Sequence, residues 1–437
     1  MRVKKLADAP RTRAFVIHPE LRTGGAGGRS SETRLDEALS LAEALDLEIV
    51  GSATAVLTAP RAGWLFGSGK VKELGAAVGA ADAELVVVNG PITPKQQQNL
   101  EKAWKVKLID RTGLILEIFG ERAQTREGAL QVELAHLEYQ RGRLVRSWTH
   151  LERQRGALGF VGGPGETQIE ADRRALDERM VRIRRQLEKT VRTRGLQRSA
   201  RQRVPFPVVA LVGYTNAGKS TFFNRVTGSS VMAQDMLFAT LDPTMRNLDL
   251  PGGRRAILSD TVGFIADLPT QLIAAFRATL EEVLEADLVV HVRDAAHPEA
   301  DAQDKDVYDT LSALGFSEGQ LDAILTLHNK IDLMAPDARA ALIEQCARRD
   351  SEAAISALNG DGVEDVLALI AGRLGASETV RVLRFDPEAG EALAWAYRNF
   401  EMRGRRDHDA GIDVEVAAPD AVFERLARRF SKDFVAL

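Results

Sequence analysis

The sequence predicts an α/β protein: a doubly wound domain carrying a phosphate-binding loop, preceded by a small α/β domain and a long antiparallel helical hairpin, and followed by a small C-terminal α/β unit. Three observations predict it. Short apolar runs alternate with helical patterns over residues 12 to 118 and again beyond residue 205. The run Pro207-Val-Val-Ala-Leu-Val212 delivers a glycine-rich loop, as a buried strand does in a doubly wound sheet. Two helical seams flank Gly156-Ala-Leu-Gly-Phe-Val-Gly-Gly-Pro-Gly165, which cannot continue a helix and so turns the chain back.

Composition bounds the class. The 437 residues suffice for about three domains, and 45% apolar with 27% charged residues is an ordinary globular balance. One cysteine, Cys346, excludes an internal disulfide framework and suits a reducing compartment. Met1-Arg-Val-Lys-Lys5 is basic, but Leu6-Ala-Asp-Ala-Pro10 is no signal-peptide apolar region, and no apolar run is long enough to span a bilayer. The expectation is a cytoplasmic monomer without integral membrane association. The net charge of −4 hides an asymmetry: residues 121 to 205 hold 19 Lys/Arg against 11 Asp/Glu, a balance of +8, which leaves −12 for the rest. A basic section in an acidic chain points to a polyanion as its partner.

Residues 1–120 read as the first domain, with strands at Ala14-Phe-Val-Ile17, Leu47-Glu-Ile-Val50, Leu85-Val-Val-Val88 and Val106-Lys-Leu-Ile109 and helical patterns between them. Gly67-Ser-Gly-Lys70 resembles half of a nucleotide loop, but Trp64 and Val71 stand where Gly and Ser or Thr belong, so it reads as a turn opening a helix. Asp110-Arg111-Thr112 reads as a helix cap.

Residues 121–204 read as the hairpin and its linker. One seam is Leu130, Leu134, Leu137 and Leu144; the other is Leu176, Met180, Ile183, Leu187 and Val191. At 1.5 Å per residue the arm projects roughly 30 Å. Its charge is nearly all arginine: Arg141, Arg143, Arg146, Arg153, Arg155, Arg173, Arg174, Arg182, Arg184 and Arg185. Guanidinium forks pair with phosphates and stack on bases, which suits structured RNA; a solvated coiled-coil face with Glu partners is the competing reading. Phe160 and Val161 at the tip look built for insertion into a partner.

Residues 205–376 hold the chemistry. Gly213-Tyr214-Thr215-Asn216-Ala217-Gly218-Lys219-Ser220-Thr221 has Walker A spacing: the glycines let backbone N–H groups cradle phosphates, Lys219 neutralises β/γ-phosphate charge, and Ser220 ligates Mg²⁺. Asp260-Thr261-Val262-Gly263 follows the strand Arg255-Ala-Ile-Leu-Ser259, placing Asp260 near the Mg²⁺ shell, through a water, and the Gly263 N–H at the γ-phosphate. Asn329-Lys330-Ile331-Asp332 follows a third strand, and a carboxylate at Asp332 accepts the guanine N1–H and N2 amino pair that adenine lacks. Ser356-Ala357-Leu358 supplies backbone N–H groups toward guanine O6. In order and spacing these are the motifs of a P-loop GTPase. Phe238-Ala239-Thr240-Leu241-Asp242 precedes Thr244, and either threonine suits a mobile switch that meets Mg²⁺ and the γ-phosphate. Phe264 stands where many GTPases carry a water-orienting glutamine; a phenyl ring neither donates nor accepts, so Phe264 is not catalytic, intrinsic hydrolysis is slow, and the catalytic group is unassigned. Asn216 suggests a K⁺ ion as charge-neutralising element, against the reading of a polar turn residue.

Residues 377–437 read as the closing α/β unit, with strands near Val380 to Phe385 and Ile412 to Val416, helices near Gly390 to Phe400 and Pro419 to Phe430, and His408 in a surface loop.

Taken together, Gly213 to Ser220, Phe238 to Asp242, Asp260 to Gly263 and Asn329 to Asp332 resemble the HflX GTPases, as do Arg122-Ala-Gln-Thr-Arg-Glu127 and Gly162-Gly-Pro-Gly-Glu-Thr-Gln168. The resemblance covers nearly the whole chain and is weakest after residue 377. It implies Thr240 as the Mg²⁺ ligand and the large (50S) ribosomal subunit with its rRNA as partner, met by the N-terminal domain and hairpin. Three functions follow as expectations: a ribosome-associated GTPase coupling nucleotide state to subunit splitting or rescue; a signalling switch that docks a protein on its coiled-coil arm; and an ATP-dependent RNA-remodelling activity in the first domain, which no second Walker motif supports.

Overall fold

The computed structural model describes residues 11–22, 30–152, 164–201, 206–229, 237–238, 244–266, 282–376, 379–408, 410–418, 420–431 and 433–437. The first unit is a four-stranded sheet of β1 (Arg13–Leu21), β2 (Glu48–Leu57), β3 (Leu85–Val88) and β4 (Lys107–Asp110), in the order β2-β1-β3-β4. Every pairing is parallel, so each connection is a crossover helix: α1 (Ser31–Glu43), α2 (Ser68–Ala80) and α3 (Pro94–Trp104), with α4 (Arg111–Arg122) following β4. Both faces of β1 are covered. Phe15 and Ile17 pack with Phe66, Leu100 and Trp104 on one side; Val16 packs with Leu41, Leu114 and Phe119 on the other.

The helix starts are written in local chemistry. Ser30 caps α1 by accepting the Thr33 N–H at 3.0 Å, Thr93 and Gln96 form a reciprocal capping box on α3, and Asp110 caps α4 by accepting the Gly113 N–H at 2.9 Å. Gly67 opens α2 as a turn, with Lys70 paired to Glu73 rather than available to a phosphate.

Helix α5 (Arg126–Glu152) packs on α3 and α4, and α6 (Pro164–Arg201) packs along α5. Leu137, Met180 and Ile183 are buried between α5 and α6, with Leu130, Leu134, Leu176 and Leu187 against them. Arg141–Asp177, Arg179–Glu133 and Arg184–Glu138 bridge the two helices. Arg143 is internal: it pairs with Asp110 at 2.5 Å, bonds Gln97, and lies over the Tyr139 ring, so it anchors the arm to the first unit instead of facing a partner. The tip residues Phe160 and Val161, with Arg153 and Arg155, lie outside the described residues.

The central unit is a six-stranded sheet in the order β10-β9-β8-β5-β7-β6, built from β5 (Val208–Val212), β6 (Thr244–Asp249), β7 (Arg255–Asp260), β8 (Leu288–Asp294), β9 (Leu325–Asn329) and β10 (Glu352–Ala354). All pairs are parallel except β6 with β7. Side chains alternate along β5: Val209 and Leu211 enter a core with Phe222, Phe223 and Val366, while Ala210 and Val212 enter the core that also holds Leu41, Leu114 and Phe119 of the first unit. The first and central units therefore share one core.

The last sheet is antiparallel, β12 (Glu401–His408), β13 (Gly411–Ala418), β11 (Thr379–Phe385) and β14 (Phe434–Ala436) in that order, over a core of its own. Here the structure corrects the loop assigned to His408. The charged run is an edge strand, and His408 ends it half-buried, 3.1 Å from Asp413, which also takes the Arg384 guanidinium at 2.7 Å. Charge on an edge strand hides it from an alternation test and also keeps the edge from pairing with another chain. Among the described residues no helix is long and apolar enough to cross a membrane.

Candidate functional site

The carboxyl end of β5 delivers the loop at residues 213 to 218, and α7 (Lys219–Thr227) begins at its end. Gly213 has φ +149° and a Cβ there would stand 2.2 Å from the Val292 carbonyl oxygen; Gly218 has φ +98° and its Cβ would stand 2.1 Å from Asn329 Nδ2. Only glycine fits either place. Asn216 is exposed with φ 59°, a left-handed conformation that asparagine tolerates, which accounts for the residue as a turn former. Lys219 is buried, and its Nζ donates to the carbonyls of Gly213 at 3.1 Å and Tyr214 at 2.8 Å. Burial lowers its pKa to about 8, with Asp260 opposing the shift.

Asp260 ends β7 fully buried, and Ser220 Oγ donates to its Oδ2 at 2.7 Å. A hydroxyl and a carboxylate brought together beside a lysine form a hard-oxygen donor set of the kind Mg²⁺ prefers, so these residues fit the ion expected from the sequence. Thr244, which opens β6, stands opposite Asp260 in the strand register. Ala239, Thr240, Leu241 and Asp242 lie outside the described residues. Phe238 is described: buried, with φ 57°, its ring meets Phe119 of α4 edge-on at 4.6 Å. Thr261 donates to the Leu211 carbonyl at 2.5 Å and Val262 is buried, so the segment after β7 is tied to the sheet. Gly263 lies against the loop, where a Cβ would meet Thr215 at 2.8 Å and Lys219 Nζ at 3.1 Å. Phe264, 2% exposed, sits in the shared core, which is why no polar side chain occupies that position.

At the end of β9, Asn329 joins two loops: its Nδ2 donates to the Ala217 carbonyl at 2.8 Å and its Oδ1 accepts the Ala357 N–H at 2.9 Å. The Ala357 N–H expected at guanine O6 is thus engaged by Asn329 in this structure. Lys330 has φ 66° and pairs with Asp294 at 2.7 Å; Ile331 is buried, Asp332 half-buried in the following turn, Ser356 buried and Leu358 68% exposed. Sequence reasoning missed Arg225, on α7, whose guanidinium donates to the carbonyls of Ala357 at 2.5 Å and Leu358 and so holds the loop after β10. Nothing local marks it, since its partners are over 130 positions away. Beside these loops His328 Nε2 stands 3.4 Å from Glu352, closing β9 on β10 near Cys346; burial lowers the His328 pKa, against the opposing pull of Glu352.

The loop, the Ser220–Asp260 pair, the Asn329 staple and Asp332 converge at the carboxyl ends of the sheet, where a doubly wound domain binds nucleotides. Comparison with known families gives four matches in chain order: GTP-binding GTPase N-terminal over residues 32–120, GTP-binding GTPase Middle Region over 122–201, 50S ribosome-binding GTPase over 208–330, and HflX C-terminal domain over 341–434. A GTPase HflX of Magnetococcus marinus is 52% identical over 343 residues, 78% of either chain. The chain belongs to the HflX family of GTPases. The HflX of Escherichia coli is 39% identical over 400 residues, 90% of this chain and 92% of its own. A GTP-binding protein from Sulfolobus solfataricus, solved with GDP, superposes with a TM-score of 0.44 at 20% identity over 83% of this chain and 98% of its own. As an HflX family member the protein binds GTP and hydrolyses it.

Proposed function

We propose that this HflX-family GTPase binds the large (50S) ribosomal subunit through its first unit and arginine-rich hairpin, meets rRNA there, and couples its nucleotide state to subunit splitting or rescue. The observation that carries the reading is the arm. The 38-residue helix α6 presents Arg173, Arg182 and Arg185 as exposed guanidinium groups that form no ion pair among the described residues. Phosphate backbones are recognised by such forks. The central segment's family match, to a 50S ribosome-binding GTPase, supports the same partner. Domain limits of 1–120, 121–204, 205–376 and 377–437 go with this reading, as does a monomer acting in the cytoplasm.

In hydrolysis the chain's own groups act as follows. The N–H groups of residues 213 to 218 hold the phosphates, Lys219 neutralises their charge and Asp332 selects guanine; Ser220 and Thr240, with Asp260 through a water, would hold a magnesium ion, which would supply further charge neutralisation at the phosphates. With Phe264 in the core, the attacking water is oriented by another group, so the intrinsic rate is slow and the ribosome raises it. An ion beside Asn216 is one such group; equal rates in K⁺ and Na⁺ at fixed ionic strength would eliminate it.

A second reading, a switch that docks a protein on the arm, is favoured by the arginines already paired across it, Arg141, Arg179 and Arg184. One experiment separates the two: GTP turnover with and without purified large ribosomal subunits, for the native chain and for Arg173→Gln/Arg182→Gln/Arg185→Gln. Stimulation that the variant loses supports ribosome sensing through the arm. Turnover indifferent to the subunit moves the search to protein partners.

A further inference from the structure

The first unit grips the nucleotide loops at two points, and both grips run through α4. At the first, Phe119 packs edge-on against Phe238, immediately before the segment that carries Thr240. At the second, Arg111 at the start of α4 donates from Nη2 to the Ala266 carbonyl at 2.9 Å and pairs with Glu37 of α1 through the same nitrogen. Its Nη1 donates to Asn89 Oδ1 at 2.8 Å, and Asn89 in turn donates to the Arg34 carbonyl at 2.8 Å. Glu37 accepts the hydroxyl of Tyr214, a residue of the phosphate loop, and that hydroxyl accepts the Ala266 N–H at 2.9 Å. Both polar groups of Ala266 are thus held, one by the first unit directly and one through Tyr214. The Arg111 and Glu37 side chains are 9% and 15% exposed, so the pair is shielded from water and its partners are fixed in direction.

What this holds in place is a closed contact inside the nucleotide site. The Phe264 N–H donates to the Gly213 carbonyl at 3.0 Å and the Thr215 N–H donates to the Phe264 carbonyl at 2.7 Å, a bridge that zips the start of the second loop onto the phosphate loop. Gly263 is pressed against Thr215 and Lys219, and Lys219 is turned onto backbone carbonyls. A γ-phosphate held by both Lys219 and the Gly263 N–H has to enter between them, so GTP must part this contact. GDP, lacking that group, need not.

We propose that Arg111 and Glu37, acting through Tyr214, are positioning residues that hold the Phe264–Ala266 segment closed on the phosphate loop, so that the first unit sets the preference of the site for GDP over GTP. Anything that draws α4 or α1 away from the central unit then favours GTP, by linkage. This rests on the GTPase site and is independent of which macromolecule the protein meets.

The test is the equilibrium affinity of the full-length chain for GDP and for a non-hydrolysable GTP analogue, in Tyr214→Phe, Arg111→Ala and Glu37→Gln. Tyr214→Phe keeps the ring and removes only the hydroxyl that joins Glu37 to Ala266. The ratio of analogue to GDP affinity rises about five- to tenfold in Tyr214→Phe and Arg111→Ala, and less in Glu37→Gln, which keeps an acceptor. Amide exchange at Thr215 and Phe264 quickens alongside. A role confined to docking the two units changes both affinities by the same factor; that result, or an unchanged ratio, overturns the proposal. Should Arg111→Ala not fold, Tyr214→Phe decides alone.

Discussion

Asp332 and Lys219 are the residues to which the proposed function assigns base selection and phosphate neutralisation, and each assignment has a measurable consequence. Asp332 is half-buried in the turn after β9, and under the proposed base placement its carboxylate would accept two hydrogen bonds that guanine offers and adenine does not. Asp332→Asn weakens GTP binding by about a hundredfold and moves preference toward xanthine nucleotides, in competition binding. Unchanged GTP affinity means the base lies elsewhere. Lys219, lowered by burial to a pKa of about 8, is a cation held at a cost until a phosphate arrives. In the unfolded chain it titrates near its ordinary 10.5, so the unfolded state binds the extra proton between the two values, and the empty protein gains stability as pH rises from about 8 to 10.5. Nucleotide binding restores the charge. GTP binding above pH 8 is therefore accompanied by uptake of up to one proton, and affinity falls as pH rises; calorimetry in buffers of different ionisation enthalpy reads the proton directly. Zero uptake at pH 9 shows that Lys219 is already charged in the empty site.

The arm is the element whose stability is most separable from the rest. Among the described residues its buried centre is Leu137, Met180 and Ile183, ringed by four leucines and the ion pairs between α5 and α6. Exposed pairs of this kind contribute little each, so the apolar seam decides whether α6 stays on α5. Met180→Ala removes a fully covered side chain and costs about 2 kcal/mol, the low end for a core site because so small a core collapses readily. Helix loss on heating, followed by circular dichroism, then begins earlier in the variant while GTP binding holds; coincident loss of both means the arm is not an independent element. The seam was legible in the sequence because a 3.5-residue repeat is local. Arg143 was not: its spacing matches the other arginines, and only the approach of α5 to Asp110 at the end of β4 turns it inward.

On the scale of the whole molecule, one core joins the first unit to the central sheet, with Val16, Leu41 and Phe119 in the same cluster as Val212, Phe238 and Phe264. The last unit has a core of its own around Phe385, Val414 and Phe423. A shared core couples unfolding. Calorimetry of the full chain gives one transition for the first and central units together and a second for residues 379 to 437; removing residues 1 to 120 uncovers the Val212 and Phe264 face and lowers the melting temperature of what remains. A central unit that melts unchanged without them would show that the shared cluster contributes nothing to its stability.

The sequence alone determined the phosphate loop, Asp260, the Asn329 to Asp332 motif, the parallel first domain and the paired helices. Each is a contiguous string or a short repeat, and its chemistry acts within a turn or a strand. The edge strand ending at His408 escaped notice because charge replaces the alternation that marks a strand. Only the tertiary structure decided what Arg111, Glu37, Arg225 and the Tyr214 hydroxyl do. Arg111 and Ala266 are 155 positions apart, and Glu37 and Tyr214 are 177 apart. Such contacts follow from how the packed faces of α1 and α4 meet the central sheet, and no local pattern encodes a meeting of that kind.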